Sequence, residues 1–233
     1  MKNEILLLLS VLLIYGGVLI CYRLFGKHGL FAFSATATVL ANIEVLIIVN
    51  AFGMEQTLGN VMFASTYLIT DILSENENKK DASRAVYIGI FTSIAMLVLT
   101  QLWMLFTPSS SDFVMPAIKQ IFSTTPRLML ASILGYAVSQ RLDVALYHAW
   151  WNLTSKGGDS RRMLWLRNNF STLISQLINT VLFTSVAFFG LYDMPTFISI
   201  MISSYVIYIF TSLLDTPAIY IARRMKEKGL IKQ

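Results

Sequence analysis

Charge is scarce in this chain. Asp, Glu, Lys and Arg make up 13% of its 233 residues, against roughly 25% in ordinary soluble domains, so a solvated globular surface is not provided for. The single cysteine, Cys21, sits in an apolar stretch, which excludes a disulfide framework and a thiol metal site. The two histidines, His28 and His148, lie far apart without a neighbour at metal-ligand spacing. Neither a metal nor a cofactor is therefore expected. No Gly-x-x-x-x-Gly-Lys-[Ser/Thr] run is present, so ATP hydrolysis by a Walker-type phosphate loop is excluded. Gly-x-Gly-Asp, His-Glu-x-x-His and Gly-x-Ser-x-Gly are missing too, and without them Asp71, Asp143 and Asp215 do not read as an intramembrane protease or hydrolase. Low-complexity tracts and internal repeats are also lacking.

What is abundant is apolar sequence. The chain is 55% hydrophobic with a mean hydropathy of +0.63, and has room for roughly six or seven spans of ~20 residues with no soluble domain left over. Seven segments can be drawn: Ile5–Phe25, Leu30–Phe52, Leu58–Ser74, Arg84–Phe106, Arg127–Trp150, Asn168–Leu191 and Thr196–Ala222. The third is short and polar, as expected of a helix that is tilted, broken or buried among others. The first has almost no basic n-region and a long core, so it reads as a retained helix rather than a cleaved signal. Between the fourth and fifth, residues 107–126 form a short amphipathic piece around Phe113, Ile118, Ile121 and Phe122. The class is an all-α integral membrane protein.

Basic residues set the expected orientation. With the C-terminus cytoplasmic, fourteen of eighteen lysines and arginines fall inside: Arg23, Lys27, Lys79, Lys80, Arg84, Lys156, Arg161, Arg162, Arg167, Arg223, Arg224, Lys226, Lys228 and Lys232. Only Lys2, Lys119 and Arg127 fall outside, and Arg141 lies within a span. That asymmetry follows the positive-inside rule. It also accounts for the net charge of +5, so no nucleic-acid partner is expected.

Several segments carry polar stripes that must face a partner helix or a watery interior. The clearest is Ser171, Thr172, Ser175, Gln176, Asn179 and Thr180, at spacings of one turn. In the third segment Asn60, Ala64, Tyr67, Asp71 and Ser74 share a face; Asp71 reads equally as a helix-end cap or partner of Arg84 or Arg141, and as a carboxylate at a cavity floor. In the fifth, Ala131, Gly135 and Ser139 form a small-residue packing ladder, continued at its ends by Arg127 and Asp143. Beside it run Ser132, Tyr136, Gln140 and Tyr147, a face suited to ligand contact, while Arg141 and Asp143 are expected to pair internally or to snorkel. The last segment offers Ser204, Tyr208, Thr211, Ser212, Asp215 and Thr216. The second holds Asn42 and Glu44, the carboxylate near mid-span, where function and internal pairing both stand. Amides, hydroxyls, carboxylates and aromatic rings together suit a flat, hydrogen-bonding heterocycle better than an inorganic ion.

Specific motifs carry a resemblance. Asn42-Ile-Glu-Val-Leu46, Gly59-Asn-Val-Met-Phe-Ala-Ser-Thr66, Thr70-Asp-Ile-Leu-Ser-Glu75, Arg127 with Ala131-Ser132, and Gly135-Tyr-Ala-Val-Ser-Gln-Arg-Leu-Asp-Val144 are similar to the queuosine precursor transporter family. Trp165-Leu-Arg167, the stripe through Thr180, and Asp215-Thr-Pro217 with Tyr220 extend the likeness to about residues 40–225. The resemblance implies a six-helix vitamin-uptake-type core over 30–225, an additional N-terminal helix in 1–29, and a cytoplasmic tail at 226–233. It implies import across a prokaryotic cell membrane of a 7-deazaguanine (preQ0, preQ1 or queuine) for tRNA wobble-base modification. By motif position it makes Asp71, Arg127, Gln140, Asp143, Gln176 and Asn179 the pocket, to which the residue reading adds Asn42, Glu44 and Tyr136. Two positions depart from the family pattern: Asn179 stands where Asp is common, and Ile47 where Lys is frequent. A carboxylate accepts two hydrogen bonds from a guanine-like edge, whereas Asn offers one accepting oxygen and a donor.

A binding subunit served by a separate ATP-driven module remains an alternative to a standalone transporter, as does a homodimer; an intramembrane enzyme is disfavoured by the missing motifs. The lipid bilayer is the one expected macroscopic partner. Orientation is directly testable. A membrane-impermeant thiol reagent applied outside should label Ser110→Cys and spare Ser160→Cys, and labelling of Ser160→Cys would overturn the assignment.

Overall fold

The computed structural model describes residues 2–123, 125–154 and 163–232. Its elements are α1 (Lys2–Glu44), β1 (Ile48–Ala51), β2 (Met54–Thr57), α2 (Gly59–Asn76), α3 (Lys79–Trp103), α4 (Met115–Ser123), α5 (Thr125–Thr154), α6 (Leu164–Phe188) and α7 (Met194–Glu227). Lys156, Arg161, Arg162 and Ser160 lie outside the described residues.

Helix α1 is not one rod. It breaks at Gly26, whose φ of 55° and ψ of −146° fall in a region open essentially to glycine alone. Beyond the break the chain folds back. The Cys21 thiol reaches the Gly29 carbonyl at 3.3 Å and the Phe33 ring packs onto Gly17, whereas eight residues of straight helix span about 12 Å. The first and second apolar segments are thus the two arms of a helical hairpin.

The second segment ends earlier than its apolar run predicts. Helix α1 stops at Glu44, and Ile48–Thr57 form an antiparallel hairpin pairing Ile48 with Thr57 and Ala51 with Met54. The two turn residues, Phe52 and Gly53, both have positive φ, as a two-residue hairpin turn that follows strand twist requires. Asn3 donates to the Asn50 carbonyl at 2.8 Å, tying the chain's start to this hairpin. Glu44 is accordingly a half-buried helix-end residue, not a mid-span carboxylate.

Helix α2 is the axis of the bundle. Every residue from Gly59 to Ser74 is buried, and α1, α3, α5 and α7 all pack on it. A helix enclosed by protein needs no lipid-facing stripe, which explains its polar load. Among the described residues four helices, α1, α3, α6 and α7, are long and apolar enough to cross a membrane, and α4 with α5, bent by 52°, make a fifth candidate. Helix α4 is the amphipathic piece read in 107–126, its Phe122 ring edge-on to Trp103 at 6.3 Å.

Local chemistry sets the ends. Asn78 caps α3 by accepting from the Asp81 amide at 2.9 Å, and Asp193 caps α7, with proline in the first turn. Basic residues gather where α1 reverses and α7 ends: Lys27 pairs with Asp81 at 3.0 Å, Arg84 with Asp81 at 3.6 Å, and Lys226 with Glu77 at 2.7 Å. This end is called inner below and the hairpin end outer. The described members of the inside set lie at or toward it.

Candidate functional site

Polar side chains from α2, α5, α6 and α7 meet along one buried line, in three levels. At the outer level a cavity of about 30 Å³ is lined by Asn60, Phe63, Ser132, Asn179, Phe183 and Tyr208, with Ala41, Val45 and Gly59 as its back wall. The Tyr208 hydroxyl donates to Asn60 Oδ1 at 3.1 Å, while Asn60 Nδ2 has no partner. The Asn179 amide is seated against Gly135, where a Cβ would lie 2.6 Å from Oδ1. Glycine at that rung leaves room for the amide, so the small-residue ladder packs helices and shapes the site together. Phe63 stands edge-on to Tyr67 and Tyr136, with centroids 5.6 and 5.7 Å away, and tilted to Tyr208 at 6.2 Å. The space is water-sized, so a ring-sized ligand enters only when these walls part. A larger hollow of about 560 Å³ between α1, the hairpin and α7 has only Gln56 and Thr211 as polar lining, a poor match for a hydrogen-bonding ligand.

The middle level holds three fully buried carboxylates. Asp71 accepts from the Thr172 hydroxyl at 3.2 Å and Asp143 from Ser175 at 2.9 Å. Asp215 lies beside the Tyr15 hydroxyl. Among the described residues no lysine or arginine forms an ion pair with any of them. Asp71 Oδ1, Asp143 Oδ2, both Asp215 oxygens and Gln176 Oε1 lack partners. Such groups are costly to bury and mark transport pathways in membrane proteins.

The inner level is ionic. Glu75 accepts from Arg167 at 3.0 Å, from Arg223 at 2.5 Å and from the Tyr147 hydroxyl at 2.6 Å. Arg167 has no solvent exposure; it also donates to Thr154 at 3.2 Å and stacks over Trp151 at 4.5 Å. Four helices, α2, α5, α6 and α7, are tied at one carboxylate.

The sequence-derived candidates divide among these levels. Asn179 lines the outer cavity; Asp71, Asp143 and Gln176 occupy the middle. Gln140 is held between α5 and α2, donating to Thr66 at 2.6 Å and accepting from Thr70 at 3.2 Å. Asn42 donates to the Thr38 carbonyl at 2.8 Å within α1. Tyr136 is buried, its hydroxyl unpartnered. Arg127 is exposed and caps the end of α6, donating to Val186 and Phe189 carbonyls at 2.7 Å each, and Glu44 is at the end of α1; neither lines the cavity. Arg141 does not pair with Asp143 but sits over the Tyr87 ring at 5.1 Å. Nor does Asp71 pair with Arg84 or Arg141. Ile47, the second departure from the family pattern, is exposed beside the hairpin.

Asn60, Phe63, Tyr208, Glu75 and Arg167 were not among the candidates. Asn60 and Tyr208 lie on the polar stripes of their own segments, where a packing residue and a cavity residue look alike. Glu75 and Arg167 sit at segment ends, where a charge reads as interfacial until its partner is known.

The sequence pattern of the family described as “Putative vitamin uptake transporter” matches residues 57–222. The chain belongs to that family. The matched stretch runs from the end of the hairpin through α7 and so contains all three levels, while α1 precedes it. The chain is also 41% identical over 208 residues, 89% of each chain, to the “Probable queuosine precursor transporter” of Bacillus subtilis (strain 168). No solved structure matches the chain. With the apolar helices, these likenesses make it a multi-pass membrane transporter.

The inner cluster yields a stability prediction. Removing one partner of a buried pair strands the other charge, at about 3–5 kcal/mol, whereas an exposed pair is worth about 0–1 kcal/mol. Glu75→Ala should therefore lower the unfolding midpoint in detergent sharply, and Lys226→Ala only slightly. Equal midpoints for the two variants would show that Arg167 finds other compensation.

Proposed function

We propose that this protein imports a queuosine precursor, preQ0, preQ1 or queuine, across the cell membrane for tRNA wobble-base modification, leaving it chemically unchanged. The 41% identity to the Bacillus subtilis protein of that name, across 89% of both chains, carries the reading. The outer cavity supports it: amides from α2 and α6 are placed for the edge of a planar base, and aromatic rings from α2 and α7 for its faces. The substrate meets Asn179 there, then Gln176, Asp71 and Asp143 deeper in. Asn42, Glu44, Arg127, Tyr136 and Gln140 hold the surrounding helices in place. The inner level is the barrier to release, because the path to the cytoplasm stays closed while Glu75 binds both arginines.

In this reading residues 30–225 are a six-helix core, the arm within 1–29 is an added helix, and 226–233 are a cytoplasmic tail. The N-terminus is outside and the C-terminus inside, as the crowd of lysines and arginines at the inner end supports. The substrate and the surrounding lipid are its partners. A second copy or an ATP-driven module would join through the lipid-exposed flanks, away from the polar line.

The test is uptake of labelled preQ0, preQ1 and queuine by cells lacking both their own transporter and precursor synthesis. Expression should raise accumulation of at least one. Equal accumulation of all three with and without the protein would contradict the proposal.

A further inference from the structure

We infer that Asn60 is a specificity-determining residue, donating a hydrogen bond from its side-chain amide to the 6-oxo group of a bound 2-amino-6-oxo ring, in the cavity that Asn179 also lines. The inference rests on the proposed substrate class and extends it to one atom of the ligand.

Asn60 lines the outer cavity, is only 7% exposed, and has a partner on one side alone. Its oxygen takes the Tyr208 hydroxyl at 3.1 Å, which leaves the NH2 group without an acceptor. Turning the amide over does not help, since the NH2 group would then meet Tyr208 and the oxygen would be orphaned. A buried amide half-satisfied in this way is expensive, and the cavity it lines is where its acceptor belongs. Tyr208 favours the donating orientation, because its own hydroxyl proton is used on the Asn60 oxygen.

A second amide of the same cavity has the complementary role. Asn179 comes from α6, and its oxygen is set beside Gly135 of α5. One amide giving a proton and one accepting it match a ring edge with a carbonyl next to N–H groups. A ring lacking the carbonyl would leave the Asn60 NH2 group as unsatisfied as it is now. Sites built around a buried polar partner reject analogues that lack it far more strongly than apolar sites reject a missing methylene.

The experiment is equilibrium binding to purified full-length protein of preQ1 and of the same compound with hydrogen in place of the 6-oxo group, with thermal unfolding as a folding control. Wild type should prefer the oxo compound by about tenfold or more, the factor that separates a made from an unmade hydrogen bond. Asn60→Ala should narrow that preference by about tenfold; any remainder belongs to the ring N–H beside the oxo group, which the hydrogen compound also lacks. Asn60→Asp, similar in shape but without the donor, should narrow it at least as much and serves where the alanine variant does not fold. Tyr208→Phe leaves the donor in place but frees the amide to turn, so it should weaken the preference without abolishing it. If Asn60→Ala and Asn60→Asp discriminate as wild type does, Asn60 is a structural link to Tyr208 and the inference falls alone. If wild type binds neither compound, nor preQ0 and queuine, the substrate reading falls and takes the inference with it.

Discussion

Lipid offers no hydrogen bonds, so each polar group carried into this bundle must be answered by another residue of the chain or by a ligand. Helix α2 concentrates that constraint. Buried from Gly59 to Ser74, it has protein on every side, and its polar residues bring α5, α6 and α7 to it: Tyr67 donates to Ser139 at 2.7 Å, Asp71 accepts from Thr172, and Asn60 accepts from Tyr208. Around α2 the remaining helices can stay apolar outward and polar inward. Where the answers are complete, the contact is architecture, as at Gln140 with both amide ends engaged. Where they are incomplete, as at Asn60, Gln176, Asp71 and Asp143, buried polar atoms are left without a partner from the chain.

The two ends of the polar line differ in physics as well as position. The outer cavity is neutral, built of amides, hydroxyls and rings, and is suited to an uncharged edge and a flat face. The inner end is a dense ionic knot, with Arg167 and Arg223 on one carboxylate and Arg223 also on Glu227 at 3.2 Å. A buried guanidinium is held by geometry rather than by solvent, so the knot opens only if several helices shift together. A small space at the hairpin end and a tied ionic end describe an interior closed on both sides.

Much of this was legible in the sequence. Periodicity placed the polar stripe of α6, and all six of its residues are buried; segment lengths marked both arms of α1 before Gly26 was known to fold them together. Other features were not legible because they depend on partners distant in the chain. Glu75 and Arg167 are 92 residues apart, and each alone looks like an interfacial charge. Arg127 shares a stripe with pocket residues, yet its guanidinium is taken by two free carbonyls at the end of α6. The hairpin was masked because Ile47–Val49 prolong the apolar run of α1, while the turn depends on a positive φ at Phe52 that no residue preference announces. Asn60 differed from these, since it lay on a stripe already drawn and only its missing partner set it apart.

The central claim is that the neutral outer cavity, with Asn179 on its wall, is where the substrate is recognised. The most direct measurement is binding of preQ0, preQ1 and queuine to purified wild type and Asn179→Leu, with unfolding midpoints recorded for both. The account predicts that wild type binds at least one ligand and that Asn179→Leu, still folded, binds it roughly 5- to 150-fold more weakly, as expected for about 1–3 kcal/mol lost with an unmade buried hydrogen bond. Undiminished affinity in a folded Asn179→Leu variant would contradict it and move recognition away from this cavity.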